Sequence, residues 1–435
     1  LANVNGDSEQ VQTVRGNSTN YGWYVMGFIW GLNLVVPLAA VSLGVMLPAM
    51  SEELDMVPFQ AGILGSAWFL GSALVALPSS IWLSRYSPKK ITFLSIFFAG
   101  ITLLLQGWAP TFAILLAARF LFVITVVSRI QAEVLLMHQW FASRQIALVM
   151  SISIGVVSIG QMAAVGLTPY LMLILSGWRN MYFAMGILLL IGAFLWMVIG
   201  REQVQVSTRE SELSRVRSPI NVLRRHKFLW VLAIAPSGAA LAWGSVMTFW
   251  PTYAMESLNL SLPMVGMLMT LFPAGGIVAS FLAGPISDLI DRRKPLLWVP
   301  GILLPPLYIA LFTTKLPILA GILLVVAGWN AMIWVPIIRI IPFDLRLAPR
   351  ETAVATGLSM TLLPIVGALG PPLVGAIQQI TGSLQIGLLS IVAFPLTLLV
   401  GGLLIPETSS RRRIMASEIG EEKQLKTGTG QLPIE

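Results

Sequence analysis

The sequence predicts an all-α integral membrane protein with twelve transmembrane helices in two pseudo-symmetric six-helix bundles, and three observations predict it. The chain is 56% hydrophobic and only 11% charged over 435 residues, whereas soluble domains carry about 25% charged residues. Apolar runs long enough to cross roughly 30 Å of hydrocarbon recur along nearly its whole length. One long polar stretch in the interior divides these runs six from six. With no water to satisfy open strand edges, spans of this length must be helices.

In chain order, residues 1–21 form a polar segment. They have no basic start running into a short apolar core, so the first span is expected to act as its own insertion signal. The first six spans are expected at 22–48, 59–83, 90–108, 112–137, 146–174 and 180–200, making an N-terminal bundle over 22–200. The linker REQVQVSTRESELSRVRSPINVLRRHK (201–227) follows, read as a solvated connector on an anionic inner leaflet. The second six are expected at 228–254, 263–287, 295–314, 317–341, 352–378 and 384–405, a C-terminal bundle over 228–405. The tail, 406–435, is polar and expected to be disordered.

Lys and Arg set the orientation. One side receives Arg85, Lys89, Lys90, Arg144, the linker, Arg292, Arg293, Lys294, Arg346, Arg350 and Arg411–Arg413. The other receives little beyond Arg179 and Lys315, with an acidic patch at SEELD (51–55). Positive charge marks the cytoplasmic side, which places both termini and the linker inside a cell (inner or plasma) membrane. The net charge of +8 therefore belongs to topology and calls for no nucleic acid. The absence of cysteine and the presence of only two histidines, His138 and His226, exclude thiolate sites and argue no metal cluster. Without an activated nucleophile or paired carboxylates in the spans, the reading is not an enzyme and needs no cofactor.

The two halves also resemble each other. A shift of 204 brings Gly62 onto Gly266, Gly71 onto Gly275, Ser84 onto Asp288 and Lys90 onto Lys294. A shift of 206 brings Arg144 onto Arg350 and Ala147 onto Ala353, and Gly177 pairs with Gly382 at 205. Such repeats create an interface near the bilayer midplane, where the solute sites of transporters occur.

GPISDLIDRRK (284–294) resembles the loop signature of the major facilitator superfamily between the second and third helices of a half. The equivalent SIWLSRYSPKK (80–90) is degraded, with Ser80 and Ser84 in place of the glycine and the acid. Arg119, WFASRQ (140–145), GWRNMYF (177–183), PRETAVATGL (349–358) and PET (406–408) match as well. The resemblance covers roughly 22–408 and implies a monomeric two-bundle transporter, embedded in lipid, that exposes a central site alternately to each side. In it Gly284 permits close packing, Asp288 ends a helix and docks against helix termini in one state, and Arg292, Arg293 and Lys294 form the cytoplasmic gating loop. The chain departs from several branches. Its second and eighth spans lack the arginines of nitrate carriers, and its first and seventh lack those of sugar-phosphate carriers. The fifth lacks the glycine-proline motif of proton-driven drug exporters. What remains looks more like small organic-anion and cyanate-type permeases.

Within the fourth span, RFLFVITVVSRIQAEV (119–134) carries Arg119, Arg129 and Glu133. At about 100° per residue the three fall within an arc of roughly 80°, a face that must be buried. Arg129 and Glu133 stand i, i+4 and can pair. Two readings compete. Arg119 attracts an anionic solute or controls Glu133, whose protonation couples transport to protons. Alternatively, Arg119 holds backbone carbonyls and Arg129–Glu133 is an inner-leaflet brace. Function is favoured for Arg119 and the brace for the pair. Asn33, Gln161 and Asn330, on the first, fifth and tenth spans, are pocket candidates with Trp243, against the reading of simple interhelical hydrogen bonds. Arg339, after Pro336, is expected to snorkel to the inner interface.

The function these features suggest is secondary active transport of a small anionic or zwitterionic organic solute, with protons as a candidate coupling ion. A rival reading is multidrug efflux, favoured by 19 methionines and 14 tryptophans that can line an adaptable pocket. A second rival is a membrane sensor of transporter ancestry that binds without flux.

Overall fold

In the computed structural model, residues 5–82, 86–201, 228–344, 349–405 and 407 are described. The predicted linker beyond Arg201, the tail beyond Glu407, and Ser84, Arg85 and Arg346 lie outside the described residues. Every described segment of regular structure is helical.

Eleven helical stretches are long and apolar enough to cross a membrane, from Asn20–Glu53 to Val354–Thr381. The twelfth expected span is present as Leu384–Leu389 and Leu396–Leu404, interrupted ahead of Pro395. Helices start where the sequence supplies starts. Pro88, Pro295 and Pro317 each occupy a first helical position, where the missing N–H is no loss. Ser87 caps the third span by accepting from the Lys90 amide at 3.2 Å. The seventh and eleventh spans end on left-handed residues, Asn259 (φ 52°) and Gly382 (φ 70°), which turn the chain without continuing the helix. The first helix begins earlier than expected from hydropathy, at Asn5.

Several spans are broken rather than continuous. The first divides into Asn5–Ala40 and Leu43–Glu53, and the seventh into Phe228–Ile234 and Ser237–Leu258. The tenth divides into Pro317–Met332 and Trp334–Asp344, and the eleventh into Pro349–Gly367 and Gly370–Thr381. A break strands backbone carbonyls in hydrocarbon, so each needs a partner. At the first break Arg119 supplies it, donating to Ala39 O at 2.6 Å and Ala40 O at 2.5 Å. In the seventh, the Thr397 hydroxyl donates to Ala235 O at 2.8 Å.

The repeat in sequence becomes a repeat in packing. Gly71 lies against Val123 of the fourth span, and Gly275 against Val325 and Trp329 of the tenth. These are equivalent second-to-fourth contacts of the two halves. Gly62 and Gly266, the other pair in register, both lie on the seam between halves, against Pro371 and Pro169. Further seam contacts are Gly44 on Met247, Gly375 on Pro58 and Gly166 on Thr270. Small residues let helices approach closely in a membrane, where dispersion and hydrogen bonds rather than hydrophobicity drive association. These close approaches lie toward the end of the molecule opposite Arg201 and Phe228, hereafter the far end. The end carrying Arg201 and Phe228 is the linker end.

Gly284 was expected to permit close packing; in this state a Cβ at Gly284 would meet nothing within 4 Å among the described residues.

Candidate functional site

Between the halves lies a cavity of about 640 Å³, within the usual range of small-molecule sites. Its walls come from the first, second, fourth, fifth, seventh, tenth and eleventh spans. At its far-end boundary sits Phe69, whose ring lies beside Gly244 and Gly367 of the other half. It meets Trp243 edge-on, with ring centroids 6.3 Å apart at 85°. Beside it the Ser66 hydroxyl donates to Ala368 O at 2.5 Å, closing the seam. Toward the linker end the walls continue to Met137, Met150 and Arg339.

The fourth span presents its three charges to this space. Arg119, Arg129 and Glu133 are 1%, 4% and 6% exposed, and all three line the cavity. Their arrangement differs from a simple i, i+4 pair. The Arg129–Glu133 contact is long, 3.5 Å from Nη1 to Oε2. Asn33 of the first span bridges them, its Oδ1 accepting from Arg129 Nη2 at 2.5 Å. Its Nδ2 lies 3.2 Å from each Glu133 carboxylate oxygen and donates to that group. An amide suits this place because it accepts from a cation and donates to an anion at once. Arg119 spends both terminal nitrogens on Ala39 and Ala40. The Nε atoms of Arg119 and Arg129 are buried without a hydrogen-bond partner among the described residues.

The other predicted residues divide. Gln161 lines the cavity from the fifth span, as does Trp243 from the seventh. Asn330 is buried, 5% exposed, but is not part of the cavity wall; its Nδ2 donates to Val326 O at 2.9 Å on its own helix. Arg339 was expected at the membrane interface; it lies exposed on the cavity wall, on the short helix that follows the break in the tenth span. Sequence reasoning missed Phe69 and Ser153. Ser153 accepts from Trp30 Nε1 at 2.7 Å and ties the cavity's first-span wall to its fifth. Phe69 carried no local signal, because its partners belong to the other half.

The predicted gating loop gathers at the linker end of the second half. Arg293 contacts Asp288 at 3.1 Å and Asp344 at 3.3 Å and donates to the Ser287 hydroxyl at 2.7 Å. The hydroxyl in turn donates to Arg292 O at 3.3 Å. Lys294 Nζ donates to Leu403 O at 2.9 Å. Glu407 accepts from the backbone amides of Arg293 and Lys294 at 2.7 and 3.3 Å. Glu407 thus acts as an anionic cap on the loop, a role its spacing did not reveal. GWRNMYF braces the far end of the first half. Trp178 and Arg179 both donate to the Glu53 carboxylate, at 2.6 and 2.5 Å, and Arg179 also reaches Gly107 O and Ala109 O.

The family model described as Major Facilitator Superfamily matches residues 29–255 and 232–430. Among similar proteins is a probable sulfoacetate transporter, SauU, of Cupriavidus necator. It is 20% identical over 389 residues, which are 82% of this chain and 88% of that one. Another is a probable galactarate/D-glucarate transporter, GudP, of Bacillus subtilis. It is 22% identical over 442 residues, 90% of this chain and 93% of that one. Among solved structures, a bacterial homolog to the human lysosomal transporter Spinster, inward-facing and unoccupied, superposes with a TM-score of 0.73. Its identity is 17%, over 88% of this chain and 94% of that one. The nucleoside transporter NupG superposes with a TM-score of 0.72 at 13% identity, over 88% and 98%.

Proposed function

This chain belongs to the major facilitator superfamily, a family of membrane transporters and not of enzymes, and from that premise we propose that it moves a small organic anion by alternating access. The observation that carries the reading is the charge of the cavity wall. Three arginines, Arg119, Arg129 and Arg339, face one carboxylate, Glu133, among mostly apolar neighbours. Cations concentrated in a low-dielectric cleft attract anions and repel cations. The relatives whose names specify sulfoacetate and galactarate or glucarate accord with it.

The roles follow from the bonding. Arg119, committed to the first-span carbonyls, is a positioning residue. Arg129, whose Nε has no partner, and Gln161, which has no hydrogen-bond partner among the described residues, contact the solute. Trp243 closes over its apolar part. Glu133 is the protonatable group that couples transport to protons. Gaining a proton removes its claim on Arg129 and Asn33 and releases both for the solute. The gating loop of Asp288, Arg292, Arg293 and Lys294 stabilises one of the two states. The protein works as a monomer in a cell membrane with its termini in the cytoplasm.

Purified protein in proteoliposomes tests this directly. An inward-directed acid gradient is expected to accelerate anion uptake. Glu133→Gln is expected to lose that response while retaining exchange between pre-loaded and external anion. Uptake indifferent to the gradient removes the coupling, and the absence of any anion exchange removes the anion. The efflux reading keeps one observation, the wall of Trp68, Phe69, Met137, Met150, Met247 and Met360. It predicts resistance to hydrophobic compounds in a pump-deficient host.

A further inference from the structure

We infer that the solute is a small dianion with a negative group at each end, one met by Arg129 of the first half and the other by Arg339 of the second. The inference rests on the anion reading above and narrows it.

Arg339 is the observation that leads here. It is exposed on the cavity wall, yet makes no hydrogen bond or ion pair among the described residues. Arg119 and Arg129, the other arginines of that wall, are each bonded to protein groups. A guanidinium in a partly apolar cleft, without a partner among the described residues, is available to an anion that arrives from outside.

Its position in the repeat says more. A shift of 206, the one that brings Arg144 onto Arg350, brings Glu133 onto Arg339 (133 + 206 = 339). The two therefore occupy corresponding places on the fourth and tenth spans, which face the cavity from opposite halves. The first half holds a carboxylate there, paired with Arg129 and hydrogen-bonded by Asn33. The second half holds an uncompensated cation. With Arg119 held by backbone carbonyls, a proton on Glu133 leaves two arginines of the wall for the solute, Arg129 and Arg339. A monoanion leaves one of these unbalanced; a dianion balances both.

A ligand held from both halves also links binding to conformational change. A solute shifts an equilibrium between states only by its differential interaction with them. A dianion spanning Arg129 and Arg339 gains when the two halves draw together at the linker end. A monoanion anchored on Arg129 alone engages one half and gains nothing from that approach. Specificity for two charges would thus lie in the closure step as well as in binding. The planar fork of arginine matches a carboxylate or a sulfonate in the same way, so the inference concerns charge number and placement.

Thermal stabilisation of the purified full-length protein is the test. The probes are succinate, sulfoacetate and galactarate, each set against a one-charge counterpart, namely succinamate, methanesulfonate and galactonate. At least one dianion is expected to bind about tenfold more tightly than its counterpart, the gain of one partly exposed charge-assisted contact. Arg339→Gln is expected to erase most of that difference by weakening the dianion far more than its counterpart, and Arg339→Lys to keep part of it. Because Arg339 is exposed and bonds to no group among the described residues, these variants should fold as the native chain does, which the unliganded melting temperature checks. Counterparts that bind the native protein as tightly as the dianions overturn the inference. So does Arg339→Gln weakening both classes equally, which would make Arg339 a gate residue. If the counterparts bind and the dianions do not, only this inference falls. If no anion of either charge stabilises the protein, the anion reading falls with it.

Discussion

Arg119 and Arg339 show how the same residue type takes opposite roles in one cavity wall. Arg119 is held by two carbonyls that the break in the first span leaves without helical partners. Arg119→Ala would strand both carbonyls in a dry interior. The expected cost is about 2–5 kcal/mol, read as a lower melting temperature in detergent. Arg119→Lys should recover only part, because one ammonium cannot reproduce a fork across two acceptors. Arg339→Gln should leave the melting temperature unchanged, since Arg339 makes no hydrogen bond or ion pair among the described residues. Arg293 resembles Arg119 in being committed to protein, through Asp288, Asp344 and Ser287. Arg293→Ala is expected to cost about 1–3 kcal/mol by the same measurement. The inward face shared by Arg119, Arg129 and Glu133 was legible from helical spacing alone. Asn33 as their bridge was not, because it lies 96 residues from Arg129 in sequence and nothing local connects them.

At the scale of elements, glycines on the seam and breaks within spans place the cavity. Gly44 touches the Met247 carbonyl so closely that a Cβ there would collide with backbone. Gly44→Val is therefore expected to prise the first and seventh spans apart at the far end and favour the state open there. The chain has no cysteine, so an introduced Ala368→Cys would be its sole thiol. Alkylation of that thiol by a membrane-impermeant maleimide from the far side should rise several-fold in the Gly44→Val background. Unchanged labelling would show that the seam does not depend on this approach. Hydropathy located the spans to within a few residues at most ends, because insertion depends on length and composition of a local run. It did not reveal the interruptions near Val41, Ala235 and Ile333. A break in a membrane helix becomes tolerable only when another helix supplies a donor or a cavity supplies water.

For the whole molecule, the seam is closed at the far end and the cavity reaches toward the linker end, as the proposed alternating access requires of one of its two states. The distribution of Lys and Arg predicts a cytoplasmic linker end. With single cysteines at exposed Lys315 and Lys90, an impermeant reagent on intact cells is expected to label Lys315→Cys only. Lys90→Cys should react after the membrane is opened, and the reverse pattern would invert the topology.

Composition, span count, the six-and-six division and the repeat are matters of local pattern, and the sequence by itself determined them. The inward face of the fourth span was also set there, because helical periodicity is a property of one segment. The tertiary structure alone decided which groups answer one another across segments. It bound Arg119 to the broken first span, inserted Asn33 between Arg129 and Glu133, and kept Asn330 on its own helix. It also set Arg339 on the cavity wall. The physical reason is that the partners of a buried polar group are whatever donors and acceptors the packing brings within about 3 Å. That proximity is set by how helices far apart in sequence cross, which no single stretch of residues encodes.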